Sequence, residues 1–269
     1  MMIPGPIRSF LNNRHLIWQL AKRDVVGRYR GSALGLVWSL IQPLLMLCVY
    51  TYVFGVVLQV RWSDRLQDQG EVAFAVILFS GLIVHGLFTE CFTRAPTLVI
   101  ENANFVKKVI FPLEILPYTV LLSALFHTAV SMVVLLAAHV ILDRDLAWTV
   151  VLLPVTVAPL LILMVGITWL LASLGVFLRD IGQVTSVIST VLLFVSPIFF
   201  PVERLPETMR GIVYLNPLSL IVDQVRAVVL YGRMPDWQAL GLYTAIALVV
   251  AQLGYMWFQR TRRGFADAL

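Results

Sequence analysis

Charge is what this 269-residue chain has least of: Asp, Glu, Lys and Arg together make 13% of it, against about 25% in soluble domains. Hydrophobic residues fill 59%, more apolar surface than a soluble domain of this length has interior to hide. A soluble fold is thereby excluded. Barrel strands would read as alternating segments of about ten residues, whereas the apolar runs here are continuous and longer, so the expected class is all-α integral membrane. Cysteine is scarce too. Cys48 and Cys91 stand too far apart in sequence for a metal-binding spacing and read as two small buried hydrophobes. No short apolar core followed by a cleavage site opens the chain, so internal spans are expected to do the targeting.

Catalytic motifs are missing as well. No segment matches GxxxxGK[ST], and no HExxH, nucleophile elbow or carboxylate pair on a loop appears. No Asp, Glu, Lys or Arg sits at the centre of an apolar window, where an ion-coupled transporter needs a group to carry the coupling proton or cation. His85 and His127 alone approach mid-membrane, and a His there more often hydrogen-bonds a neighbouring helix than relays protons. The Asp64, Asp68, Glu71 group is too loose for an enzyme acting on lipid-linked sugars and reads as a solvated loop. The expectation is a pathway without an engine.

What is present is a series of six windows, each able to cross a hydrocarbon core of about 30 Å. They are Gly35–Val57, Val72–Thr89, Leu116–Ile141, Leu146–Leu178, Ile181–Val202 and Trp237–Gln259. With their flanks, the spans cover 33–60, 72–92, 115–141, 146–178, 181–202 and 237–259. Only Arg179-Asp180 separates the fourth from the fifth, which demands a very tight turn. Six spans put both termini on one side. Thirteen of the twenty Lys and Arg then fall on that side, so both termini are expected in the cytoplasm.

Residues 1–32 form a basic leader. At 100° per residue Phe10, Leu11, Ile17, Trp18, Ala21, Val25 and Tyr29 share one arc, the pattern of a helix lying on the membrane surface. Arg14 and Arg28 intrude on that arc, and a solvated leader fits the same residues. Gln42-Pro43 predicts a kink in the first span. Trp38, Gln42, Met46, Tyr50 and Phe54 recur every four residues, a stripe that suits helix packing as well as a substrate surface. Between the second and third spans, Asn102 and Asn104 can cap a short helix. Its basic face is Lys107 and Lys108, and its apolar face is Phe105, Val106, Val109 and Ile110. Such a helix can dock another protein or rest on lipid.

Residues 203–236 form the odd external stretch. Asn216-Pro217 offers an N-cap and a proline at the first helical position. Leu218, Ile221, Val222, Val225, Val228 and Val229 then make a stripe of helical period, and Gly232 offers a stop. Asp223 and Arg226, three apart, can pair. The stretch is too short and too charged to cross, which predicts a re-entrant or interfacial helix. A shorter helix is expected before it, from Pro206 to near Gly211.

Taken together these stretches resemble a family. KRDVVGRYRGSALGLVWSLIQPLLMLCVYTYVFG, ENANFVKKVIFPLEILP, FLRDIGQV, SPIFFP and YLNPLS occur in order between about Phe10 and Arg263. They look like the membrane subunit of type-two ABC exporters, and most like the polysaccharide and polyol-phosphate export branch. The resemblance implies a six-span permease that pairs with a second copy of itself and with two copies of a separate ABC ATPase. It implies a lipid-linked glycan as substrate, of O-antigen, capsule or teichoic-acid type and commonly on undecaprenyl diphosphate. Export would run across the bacterial inner membrane, with periplasmic or outer-membrane export proteins as further partners. ATP and Mg would belong to the ATPase; no cofactor, metal, catalytic residue or nucleic acid is expected on this chain.

The same resemblance assigns residues. Glu101, Asn102, Asn104, Phe105, Lys107 and Lys108, with Trp18, Lys22 and Arg23, correspond to ATPase-contacting elements. Trp38, Gln42, Tyr50, Phe54, Phe194, Phe199 and Phe200 would line the channel, where sugar rings stack on aromatic faces. Asn216, Pro217, Asp223 and Arg226 fall in the external gate helices. Arg28 and Arg30 are placed to neutralise a lipid diphosphate. An exporter of another substrate, such as a drug or lipid, is the competing reading, and a membrane enzyme acting on lipid-linked sugars the more distant one.

Overall fold

The computed structural model describes residues 5–58, 71–106, 111–143 and 146–269, and every regular element among them is helical. Two short helices, α1 (Gly5–Asn12) and α2 (Arg14–Arg28), precede α3 (Trp38–Tyr50), which continues as a π-helical stretch over Thr51–Val57. Then follow α4 (Glu71–Arg94), α5 (Leu98–Glu101), α6 (Ala103–Val106), α7 (Leu116–Asp143) and α8 (Leu153–Phe177). The chain ends with α9 (Ile181–Val195), α10 (Glu207–Leu215), α11 (Pro217–Val229), α12 (Trp237–Thr261) and α13 (Phe265–Ala268). Lys107, Lys108, Val109 and Ile110, and Asp64 and Asp68, lie outside the described residues.

Among the described residues five helical stretches are long and apolar enough to cross a membrane: Gly35–Val57, Phe74–Arg94, Leu113–Leu142, Trp148–Phe177 and Trp237–Ala268. The fifth window of the sequence departs from expectation. Its helix stops at Val195 after 15 residues, about 22 Å of rise and less than the hydrocarbon core. The cause is local. Ser196 stands before Pro197, which drives it into an extended conformation (φ −73°, ψ 150°), and the ladder ends there. The α10–α11 pair bends by 91° and together has the length and composition of one further span. The bend is made by Asn216, whose side-chain oxygen accepts the Leu218 N–H at 2.9 Å. Helix α10 runs on to Leu215, past the expected stop at Gly211.

The core is built around α4, most of whose apolar window is buried, and around α7, α8 and α11. Trp169, Phe88, Leu78, Leu135 and Leu160 are fully buried. Helix α8 crosses α12 so closely that a Cβ on Gly254 would stand 2.2 Å from the Gly166 carbonyl oxygen, the small-residue contact of membrane helices. The α11 stripe (Leu218, Ile221, Val222, Val225, Val228 and Val229) is entirely buried and packs on α4 and α8. Gly232 takes the left-handed conformation expected of a stop, at φ 61°.

Helical geometry runs through Pro43, and the disturbance of the first span appears later, where Leu58 N–H reaches back five residues to Val53. The leader is divided at Asn13, whose amide donates to the Ser9 carbonyl. Only Ile17, Ala21 and Val25 of its arc turn inward from α2, against α7, while Trp18 is exposed. The Arg179-Asp180 turn is as tight as the sequence demands, with α9 starting at Ile181.

Candidate coupling end and conduit

Asp24 and Arg28 are one helical turn apart on α2, and Glu90 and Arg94 are one turn apart on α4, so two adjacent helices can pair charge for charge. They do. Arg94 forks onto Asp24 with bonds of 2.8 and 2.9 Å and approaches Glu90 at 3.5 Å, while Arg28 pairs with Glu90. Burial pushes the Asp24 carboxyl upward, but the hydrogen bonds and charge of Arg94 outweigh it and hold the group below the usual aspartate range. Next to Arg28, the Tyr29 hydroxyl meets His127 Nδ1 at 3.3 Å.

The same end carries the residues assigned to coupling. The Arg23 guanidinium lies 5.7 Å over the ring of Phe105, which stacks on Phe111 with centroids 4.3 Å apart. Trp18, Lys22, Glu101 and Asn104 are exposed. Asn102 acts in the opposite sense to the expected N-cap: its amide donates to the Leu98 carbonyl at 2.8 Å and closes the end of α5. A polar cleft of about 210 Å³ separates α2 from α5 and α7, lined by Arg23, Asp24, Arg94, Glu101 and Asn102. The sequence signal for this four-membered ladder is the i, i+4 spacing of Asp24 with Arg28 and of Glu90 with Arg94; only the packing of α2 beside α4 joins the two pairs.

Beside the ladder opens a cavity of about 230 Å³ lined by Arg28, Tyr29, Gln42, Met46, Tyr50, Glu90 and His127. Gln42, Met46 and Tyr50 thus present one face of α3 to it; Trp38 does not line it and is exposed. Farther along, the rings form a series. Tyr50 and Phe54 have centroids 6.4 Å apart, Phe54 and Phe199 6.3 Å, and Phe199 stacks on Phe194 at 5.8 Å, with Phe74 behind Phe54 at 5.7 Å. Phe200 is half-buried beside them in sequence. Arg28 is committed to Glu90, and Arg30 is exposed. Both mid-membrane histidines tie helices together: His85 Nε2 lies 3.1 Å from the Ser189 carbonyl, and Thr89 and Ser189 hydroxyls are 2.7 Å apart.

At the opposite end Asn216 donates to the Ser196 hydroxyl at 2.8 Å, and the Pro217 carbonyl accepts from Tyr243 at 2.9 Å. The expected Asp223–Arg226 pair is a distant one, 3.9 Å, because Arg226 turns into the protein and bonds carbonyl oxygens instead. Among the described residues no three His, Cys, Asp or Glu side chains gather as a metal site.

Residues 15–230 match the ABC-2 type transporter family. The chain is 27% identical over 265 residues to the O-antigen export system permease protein RfbA of Myxococcus xanthus, covering 98% of each chain. It is 23% identical over 256 residues to the protein of the same name from Klebsiella pneumoniae, covering 94% of this chain and 95% of that one. Against the polysialic acid transport protein KpsM of Escherichia coli the figure is 24% over 241 residues, 89% of this chain and 90% of the relative. A match that runs through the ion ladder, the aromatic series and the α10–α11 bend makes this chain a member of the ABC-2 type transporter membrane family.

Proposed function

We propose that this chain is the permease subunit of an ATP-driven exporter that moves a lipid-linked polysaccharide, of O-antigen or capsular type, across the bacterial inner membrane. The observation that carries the reading is the series Tyr50, Phe54, Phe199 and Phe194, continuous with a polar cavity, in a chain similar along almost its whole length to permeases named for glycan export. Aromatic faces hold sugar rings without one fixed polar geometry, so a long and uneven chain can slide past them.

In this reading α9 with the turn after it makes the sixth crossing, both termini are cytoplasmic and two copies assemble, each with one copy of a separate ABC ATPase that binds ATP and Mg. Helices α3 and α9 face each other across the path. Their uncovered residues, among them Leu45, Val49, Val184, Val187 and Val191, support such a partner copy. The ATPase grips the cleft between α2 and α5, at Glu101, Asn102, Asn104 and Phe105 with Trp18, Lys22 and Arg23; Lys107 and Lys108, next in the sequence, are proposed to share in that contact. The ion ladder makes α2 move with α4, so the ATPase stroke reaches Arg28. Glu90 holds Arg28 at the cavity mouth until the lipid diphosphate, a stronger anion, displaces the carboxylate. Arg30 adds a second cation on the same side. α10 and α11 re-enter the membrane from outside, with Asn216, Pro217, Asp223 and Arg226 in the gate.

The test is deletion of the gene in its native host. Surface polysaccharide is expected to vanish while lipid-linked glycan accumulates inside, and re-expression of the chain restores export. Normal surface polysaccharide in the deletion strain rejects the reading.

A further inference from the structure

Arg226 is the one side chain among the sequence-assigned gate residues that carries a full charge into the interior, with only 2% of its surface exposed. All three of its guanidinium nitrogens are used. Nη1 donates to the Pro197 carbonyl at 2.6 Å; Nη2 donates to the Ile198 and Ile77 carbonyls at 3.2 Å each; Nε reaches Ile77 and the Ser80 hydroxyl at 3.3 and 3.4 Å. Its neighbour Gly81 makes the space: a Cβ there would stand 3.0 Å from Nη2. The carbonyls of residues 197 and 198 belong to the non-helical end of α9. Backbone of that kind inside a membrane protein must find partners within the protein. Arg226 supplies them, and its planar fork suits several carbonyls at once in a way a lysine ammonium does not.

Helix α11 holds the same turn at a second point. Asn216, ten residues earlier and so about 15 Å along the helix, donates to the hydroxyl of Ser196. Two fixed points on one rigid helix set where the turn stands, and Phe199 follows directly, against Phe54 and Phe194. We infer that Arg226 is a positioning residue: it locks the 196–198 turn to α4 and α11, so that the outer end of the aromatic series opens only when α11 moves. The inference rests on the proposed function for the outward direction of this end and for the aromatic series as the path.

The experiment uses the full chain, expressed with its ATPase, in which Cys48 and Cys91 are serine and a single reporter cysteine is introduced. Phe200→Cys reports on the turn, and Trp237→Cys, at the exposed start of α12, reports on the same end of the molecule away from it. A membrane-impermeant maleimide is added to intact cells depleted of ATP. With Arg226→Met the Phe200→Cys reporter is expected to label roughly tenfold faster or more, the effect of losing a charged hydrogen-bond donor, with Arg226→Lys in between and Trp237→Cys unchanged. General loosening would instead raise labelling at both reporters and overturns a positioning role. Equal labelling of Phe200→Cys with and without Arg226 also overturns it. If Arg226→Met does not accumulate, Arg226→Lys and the Ser196→Ala, Asn216→Ala pair take its place, and unchanged labelling in both overturns the inference. A Trp237→Cys reporter that labels only after lysis removes the outward direction, a failure of the proposed function that is told apart by this control.

Discussion

The first and second spans are almost equally apolar, yet 78% of the apolar window of Phe74–Arg94 is buried in the molecule and only 11% of that of Gly35–Val57. Hydropathy says that a segment belongs in the membrane; it does not say whether protein, lipid or a second copy covers it. α4 is surrounded because it meets α7, α8, α9 and α11 at once, whereas α3 touches the bundle along one face. That face is where the polar cavity and the aromatic rings lie. The buried span is thus the scaffold, and the exposed one is the span that the proposed function places beside the path.

The contrast can be broken first on the scaffold side. Gly254→Leu drives a side chain into the Gly166 backbone and is expected to cost about 3 kcal/mol or more, read as lost accumulation or a large fall in Tm in detergent. Next comes the path side. Tyr50→Ala is expected to cut export about tenfold, the size of one lost aromatic stacking contact, while the permease accumulates normally. Tyr52→Ala, on the exposed face of the same helix, is expected to leave export unchanged; equal effects would mean that the wrong face has been assigned.

The ladder gives a smaller effect. Asp24→Asn leaves Arg94 with a weaker partner at a half-exposed site, about 1 kcal/mol after allowance for solvent screening. Because the Asp24 pKa is lowered in the fold, its contribution is complete above the ordinary aspartate range and is lost as pH falls through the depressed value. The Tm difference between wild type and Asp24→Asn is therefore expected to close in acid and stay open at neutral pH. Smallest of all is Leu45→Ala on the uncovered side of α3. It is expected to change the stability of the single chain by no more than about 0.5 kcal/mol, measured on the monomer.

Much of this was legible in the sequence. Five of the six apolar windows correspond to helices long and apolar enough to cross, and the 218–229 stripe corresponds to α11 with its Asn216-Pro217 start. The helix of the fifth window is shorter than the window because averaging over Ile181–Val202 hides the Ser196-Pro197 break that ends α9. Arg226 reads from its spacing as the partner of Asp223; its nearer partners include the Pro197 and Ile198 carbonyls freed by that break, which no side-chain pattern announces. The 38–54 stripe was legible in part. Gln42, Met46 and Tyr50 share a face, but Trp38, at the first turn of α3, lies beyond the cavity. Arg28 read as a free cation because Glu90 is 62 residues away and becomes its partner only when α2 packs beside α4.

The central claim, that glycan travels along the inward face of α3, is tested most directly by site-specific photocrosslinking. A photoreactive phenylalanine is placed at Tyr50 or at Tyr52 in cells that accumulate lipid-linked glycan. The account predicts glycan adducts at position 50 and none at 52. Adducts at 52 with none at 50 would contradict it.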